Sequence, residues 1–229
     1  MFGWFDAIVD GMTALMNWLY GFTVSFGFPS YALAIILLTI FIKVVLYPLS
    51  KKQMHSMVMM QKLAPEIKAI QDKYKNKDPQ MMQQKIMELY KEHNVNPMAG
   101  CLPLLVQMPI LIALYRALYA FPFKNPDHAH FFWVESLSKT GDIPLALLAA
   151  ATTYLQSKLT TNTQDQTQKT MLYTMPLFIG WIAHTVPAGL ALYWVVFNTV
   201  GAIQQWIINK ETLHLKEGVT GVEGSRKSR

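Results

Sequence analysis

Apolar residues run almost unbroken over 31–49, about enough for one helix to cross a bilayer. Four further apolar runs lie at about 98–121, 143–159, 171–186 and 190–208. A mixed segment, 1–27, precedes the first run, and a polar one, 50–97, separates the first from the second. In 1–27, Phe5, Ile8, Val9, Met12, Leu15, Met16 and Leu19 recur at helical spacing, with Asp6, Asp10, Thr13 and Asn17 opposite. This pattern predicts an amphipathic helix on a membrane surface, with Trp4 and Trp18 at the interface. Asp6 and Asp10 tell against a signal peptide and against a further span. Gly27, Pro29 and Ser30 break the helix, and Ser30 is placed to cap the next one.

Segment 50–97 is polar yet patterned. Met60, Leu63, Ile67, Ile70 and Tyr74 step by threes and fours, a short coiled-coil seam. Met82, Ile86 and Leu89 resume the theme after an Asn76-Lys77-Asp78-Pro79 turn. The expectation is a helical hairpin with Pro65 in the first turn of its first helix. Nine lysines against five acids place it in the cytoplasm by the positive-inside rule. Seven of the chain's 14 methionines also lie here, and flexible thioethers suit surfaces that meet varied apolar partners. The plainer role for them is to fill gaps at the seam and the membrane interface. Copper(I) capture by the thioethers lacks a nearby cysteine.

Composition narrows the class. Of 229 residues, 52% are hydrophobic and only 15% charged, which fits a multi-spanning membrane protein. The net charge of +6 sits between and after the apolar runs, a topology signal and not a nucleic-acid footprint. The single cysteine, Cys101, excludes an intramolecular disulfide and a zinc cluster. No nucleophile elbow, P-loop or H-E-x-x-H run is present, so neither an enzyme nor a cofactor is expected. His128 and His130 have H-x-H spacing in a polar loop, where a solvated loop outweighs a metal site. No inverted repeat of the transporter kind is visible. The reading is thus all-α and polytopic. Five spans with the N-terminus outside and the C-terminus inside put every basic segment in the cytoplasm. The organisation is a surface helix over 1–27, a core over 28–210 that includes the hairpin 50–97, and a basic disordered tail over 211–229.

One residue violates the pattern. Lys43 lies inside the first apolar run, with Thr39 four residues before it and Tyr47 four after, on one helical face. An ammonium there costs roughly 2.5–3.5 kcal/mol on insertion scales and by default marks a functional site. The alternative is snorkelling toward Ser50, Lys51 and Lys52, roughly 10 Å away along the helix.

Three runs resemble the YidC/Oxa/Alb family of membrane-protein insertases. They are TIFIKVVLYPL from Thr39, NPMAGCLPLLVQMPI from Asn96, and PAGLALYW from Pro187, the last leading to Asn198. The resemblance covers about 28–210. It implies five core spans enclosing a hydrophilic groove, open to the cytoplasm and to lipid and closed outside. It places Lys43 where the family usually has arginine, which keeps the charge but loses the planar fork of donors. Thr39, Tyr47, Gln107 and Tyr193 match other polar groove positions. The hairpin, through Met57, Met60, Lys73, Met82 and Lys85, is expected to meet clients first. The implied partners are newly made membrane proteins and the bilayer, then the ribosome, the signal recognition particle receptor and the Sec translocon. The extra domain that many Gram-negative members carry between their first two spans has no counterpart, which implies the short bacterial form. The competing readings are a small-solute or anion transporter with Lys43 as substrate site, and a passive chaperone that shields spans without translocating.

Overall fold

Ser30 and Pro48 set the limits of the first apolar helix. The Ser30 hydroxyl accepts the Leu33 amide hydrogen at 3.3 Å and caps α2 (Tyr31–Val45). Pro48 has no amide hydrogen, and its ring crowds the carbonyl four residues back. The helix therefore breaks at Leu46 and restarts as α3 (Tyr47–Tyr74), bent by 67° from α2. Around this pair stand α1 (Gly3–Ser25), α4 (Pro79–Glu92), α5 (Leu102–Tyr119), α6 (Ile143–Thr160), α7 (Gln166–Thr185) and α8 (Ala188–Lys227). This computed structural model describes residues 3–74, 77–96, 102–119, 121, 123, 125–160 and 166–227, with the backbone alone at Trp4, at 102–104, at 166–168 and after Lys210. Lys75, Asn76, residues 97–101 and the Trp4 side chain, which the sequence reading used, lie outside the described residues.

The core lies between α2 and α8. Tyr31, Ile35 and Leu38 of α2 pack with Leu190, Leu192 and Tyr193 of α8, joined by Leu114 and Leu118 of α5, Leu145 of α6 and Met16 of α1. α6 and α7 approach through small residues. A Cβ on Gly180 would fall 3.0 Å from that of Ala150. The outer faces are apolar: Leu105 and Ile112 of α5, Leu147 and Leu155 of α6, Leu177, Phe178 and Trp181 of α7, and Ile203 and Trp206 of α8 are exposed. Thr39, Lys43, Gln53, Asn198 and Gln205 are buried. Polar groups inside and apolar ones outside are what a bilayer selects as solvent. By length and composition, Ala188–Lys210 can cross a membrane alone, the bent pair α2 and α3 passes as one broken span, and Leu105–Tyr119 is shorter.

The hairpin forms with a longer first arm than the pattern predicts. Leu63, Leu89 and Val95 make a small core of their own, with Met60, Ile67 and Ile70 packed against it. Asp78 caps α4 by accepting from the Gln80 and Met81 amides at 3.0 and 2.9 Å, with Pro79 behind it. Pro65 is not in a first turn. It lies inside α3, because the break at Leu46 starts that helix well before the polar segment begins. At the other end of the chain, α8 continues to Lys227 through the segment read as a disordered tail. Glu211, Leu213, Leu215, Lys216 and Glu217 are good helix formers, so local propensity favours the extension.

The opposite end of the bundle is covered. The loop between α5 and α6 buries Ala129, Val134 and Leu137. It is fastened to the α7–α8 turn by backbone bonds: Gly189 N–H to Leu137 O at 2.9 Å, Ala188 N–H to Lys139 O at 2.8 Å, and Gly141 N–H to His184 O at 2.8 Å. The contact is close at Gly189, where a Cβ would fall 3.2 Å from Ile35 Cδ1 and 3.4 Å from the Leu137 carbonyl. α1 lies across this same end. Its Asp6 is 3.6 Å from Arg116 near the end of α5, and its Tyr20 stacks 4.0 Å from Tyr31 at the start of α2. The Tyr20 hydroxyl also meets His128 Nδ1 at 2.6 Å.

Candidate functional site

Lys43 lies less than one turn before the α2 break and is 5% exposed. Its ammonium stands 3.4 Å from the centroid of the Phe197 ring, a cation–π contact that partly replaces lost water. Among the described residues no carboxylate lies within ion-pair reach of it. Gly201, one turn after Phe197 on α8, makes the approach feasible. A Cβ there would fall 2.5 Å from Gln156 Nε2 and 3.1 Å from Lys43 Nζ. These groups open on a cavity of about 120 Å³ toward the hairpin end of the bundle. Its polar wall is Lys43, Ser50, Gln53, Gln107, Gln156, Thr160 and Gln205, and its apolar wall includes Ile42, Leu46, Leu49, Met54, Met57, Val106 and Phe197.

α8 supplies one side of the site at a repeat of four. Tyr193, Phe197, Gly201, Gln205 and Asn209 lie on one face of an otherwise apolar helix. Gln107 of α5 donates through Nε2 to the Tyr193 hydroxyl, which joins α5 to α8 beside the cavity. Asn198 donates to Thr153 Oγ1 of α6 at 2.7 Å. Gln205 donates through Nε2 to Asn209 Oδ1 at 2.8 Å, and Asn209 donates to the Leu159 carbonyl at 3.3 Å. Gln61 of α3 donates to the Thr160 carbonyl, so the last turn of α6 is held from two sides. Gln53 Nε2 and Gln205 Oε1, both of residues that line the cavity, are buried without a hydrogen-bond partner among the described residues.

The predicted residues separate into groups. Lys43 and Gln107 line the cavity, and Tyr193 adjoins it through Gln107. Thr39 shares a face with Lys43 but is fully buried, and its hydroxyl donates to the Ile35 carbonyl of its own helix at 2.7 Å. Tyr47 is beyond the bend, so the expected common face with Lys43 is lost, and it does not line the cavity. Of the hairpin set, Met57 lines the cavity and Met60 packs in the hairpin core. Met82 is half-buried, Lys73 is exposed, and Lys85 is paired with Glu88 at 2.6 Å. Gln53, Gly201 and Gln205 were not anticipated. The repeat of four on α8 is the signal that would have found the last two.

The site offers one positive charge and several amides in a partly enclosed cavity with low-dielectric walls, where electrostatic attraction is stronger than in bulk water. Among the described residues, no group of three or more His, Cys, Asp or Glu side chains is placed to hold a metal ion.

The family model described as 60Kd inner membrane protein matches residues 22–216. Membrane protein insertase YidC of Leptospira interrogans (strain 56601) is 39% identical over 91% of this chain and 34% of its own length. The Campylobacter jejuni protein of the same name is 40% identical over 91% of this chain and 39% of its own. The Wolinella succinogenes one is 40% identical over 98% and 41%. A solved structure described as an active YidC insertase with the first transmembrane domain resolved superposes with a TM-score of 0.68 and 29% identity, over 87% of this chain and 46% of that one. The chain thus spans about two-fifths or less of the curated relatives it matches.

Proposed function

This chain belongs to the 60Kd inner membrane protein family, that of the YidC/Oxa/Alb insertases, and on that premise we propose that it moves client transmembrane segments into the bilayer. The carrying observation is Lys43, a buried ammonium with no carboxylate partner among the described residues, in a polar cavity inside an apolar-faced bundle. An arriving client must take a polar, often acidic, terminus across hydrocarbon, where each unsatisfied polar group costs several kcal/mol. The cavity shortens that path, and Lys43 attracts the acidic terminus. The apolar segment then leaves sideways to lipid. The reading takes α2, α5, α6, α7 and α8 as five spans, with the hairpin and C-terminus in the cytoplasm and α1 on the outer interface. Newly made membrane proteins are the clients. The ribosome, the signal recognition particle receptor and the Sec translocon are the delivering partners this reading assigns to the hairpin side. A solute transporter needs a path to both faces, and the fastened loop at the far end of the bundle argues against one.

The test is insertion by purified protein in liposomes, using paired clients with acidic or neutral translocated tails. Lys43→Ala is expected to slow the acidic client about tenfold or more, equivalent to about 1.4 kcal/mol of lost attraction, and the neutral client much less. Lys43→Arg retains activity, and Lys43→Glu is worse than alanine for the acidic client. Equal rates for wild type and Lys43→Ala on both clients would remove the role of the charge. Solute flux without a client would point instead to a transporter.

A further inference from the structure

The loop between α5 and α6 carries a turn that client insertion does not explain. Phe131 and Val134 close it, each backbone N–H donating to the other's carbonyl, at 2.9 and 2.8 Å. Phe132 and Trp133 alone form its tip. Two-residue turns of this kind favour asparagine, aspartate and glycine, which accept positive φ. Phe132 instead holds φ at +49°, an outlier for a bulky side chain. Phe132 is 82% exposed, and Trp133, whose ring stacks 6.2 Å from it, is 50% exposed. Backbone strain that displays two apolar rings on the surface calls for a partner that they meet. The base of the turn is rooted: Val134 is buried in the core of the bundle, and Phe131 packs against that core.

The surroundings match lipid better than protein. Trp133 Nε1 donates to Asp142 Oδ1 at 3.2 Å, so the indole can leave water without orphaning its N–H. Asp142 Oδ1 also accepts the Leu145 amide hydrogen at 2.7 Å, which sets Trp133 beside the first turn of α6. There the exposed apolar face of that helix begins, with Ile143 and Leu147 four residues apart. Trp133 also walls a cavity of about 250 Å³ together with Glu135, Ser136, Lys139 and Thr140, and Lys139 is paired with Glu135. Aromatic rings that adjoin both an apolar helix face and a charged shelf are what a membrane interface selects. Two rings offer roughly 150–250 Å² each, short of the roughly 800 Å² per side of a stable protein contact.

We propose that the Phe132–Trp133 turn is a lipid anchor. It inserts both rings at the boundary of headgroups and acyl chains on the sealed end of the bundle, and holds the loop there. Glu135 and Lys139 stay among the headgroups. This goes beyond the insertase reading and rests on it only for a bundle that spans the bilayer.

The experiment reads Trp133 in the full chain in liposomes, as the tryptophan emission that wild type has and Trp133→Phe lacks. The vesicles are phosphatidylcholine, with or without bromines high on one acyl chain, and acrylamide is the aqueous quencher. Brominated lipid is expected to remove most of the Trp133 emission. Acrylamide is expected to quench it several-fold less than it quenches a free tryptophan amide. Phe132→Asn supplies the second variant. Asparagine suits the positive φ, so a purely structural role predicts an unchanged or firmer loop. The anchor predicts that lipid quenching of Trp133 falls roughly twofold or more, with acrylamide quenching raised, because half of the aromatic wedge is gone. A Trp133 open to acrylamide and untouched by brominated lipid overturns the anchor, as does quenching that Phe132→Asn leaves unchanged. Neither result touches the insertase reading, which client insertion by wild type in the same vesicles tests separately. Loss of that insertion would overturn the reading and leave the anchor standing.

Discussion

At the scale of single residues, Gly201 is as consequential as Lys43. Its missing Cβ is what lets Gln156 and the Lys43 ammonium both reach α8. Gly201→Val is expected to leave the fold intact, because the displaced neighbours are the ends of flexible side chains, at an overpacking cost of about 1–3 kcal/mol. It should push Lys43 off the Phe197 ring and impair acidic-tailed clients as Lys43→Ala does, with Gly201→Ala milder. Insertion rates beside thermal unfolding curves check this, and a variant that unfolds early yet inserts at full rate would refute it. Lys43 was legible in the sequence because a charge in an apolar run stands out against its neighbours. Gly201 and Gln205 were not, since a glycine and a glutamine near a helix end look ordinary until their register with Tyr193 and Phe197 is counted. Thr39 shows the converse. The right register put it beside Lys43, but its hydroxyl is satisfied by its own helix.

At the scale of elements, the bend at Leu46 decides which side chains meet. It turns Gln53, Met54 and Met57 back against the cavity, whereas a straight helix would carry them away. Restoring the amide with Pro48→Ala is expected to straighten the junction. Spin labels at Leu33 and Lys68 should then separate by about 8 Å more, toward the roughly 52 Å of an unbroken helix. An unchanged distance would mean that packing, not the proline, holds the bend. The hairpin seam was readable because Met60, Leu63, Ile67 and Ile70 step by threes and fours on one arm, as Met82, Ile86 and Leu89 do on the other. The long first arm was not, because a helix start set by Pro48 overrides the favoured place for Pro65. On α4, the hydrogen bond from Lys85 holds the Glu88 carboxyl below its ordinary range, and the same bond raises Lys85. A depressed carboxyl stabilises the fold above its unfolded pKa and loses that contribution as pH falls through its folded value. Protection factors in the last turns of α4, measured by hydrogen exchange and referred to the intrinsic rate at each pH, should therefore fall below the usual carboxylate range, and Lys85→Met should abolish that pH dependence. The pair is exposed, so the effect is small.

At the scale of the whole molecule, the order of apolar runs foretold the order of helices, while their number of crossings was less plain. α6 ends and α7 begins in polar residues, and among the described residues only Ala188–Lys210 is long and apolar enough to cross alone. In a Cys101→Ser background, Gln83→Cys on α4 and Ser138→Cys in the loop should react with an impermeant thiol reagent from opposite sides of sealed vesicles. Reaction from the same side would sink the five-span topology. The fastened loop has an electrical consequence. A wet pit open at one end and sealed at the other is a dead end for ions, so the protein should carry no current in a planar bilayer. The pit also stays near the potential of the compartment it opens to. On the five-span reading, the membrane voltage then falls mainly between Lys43 and the Leu137–Gly189 contact. About 2.3 kcal/mol per charge per 100 mV is concentrated in that last stretch, where it acts on whatever charged terminus Lys43 has drawn in.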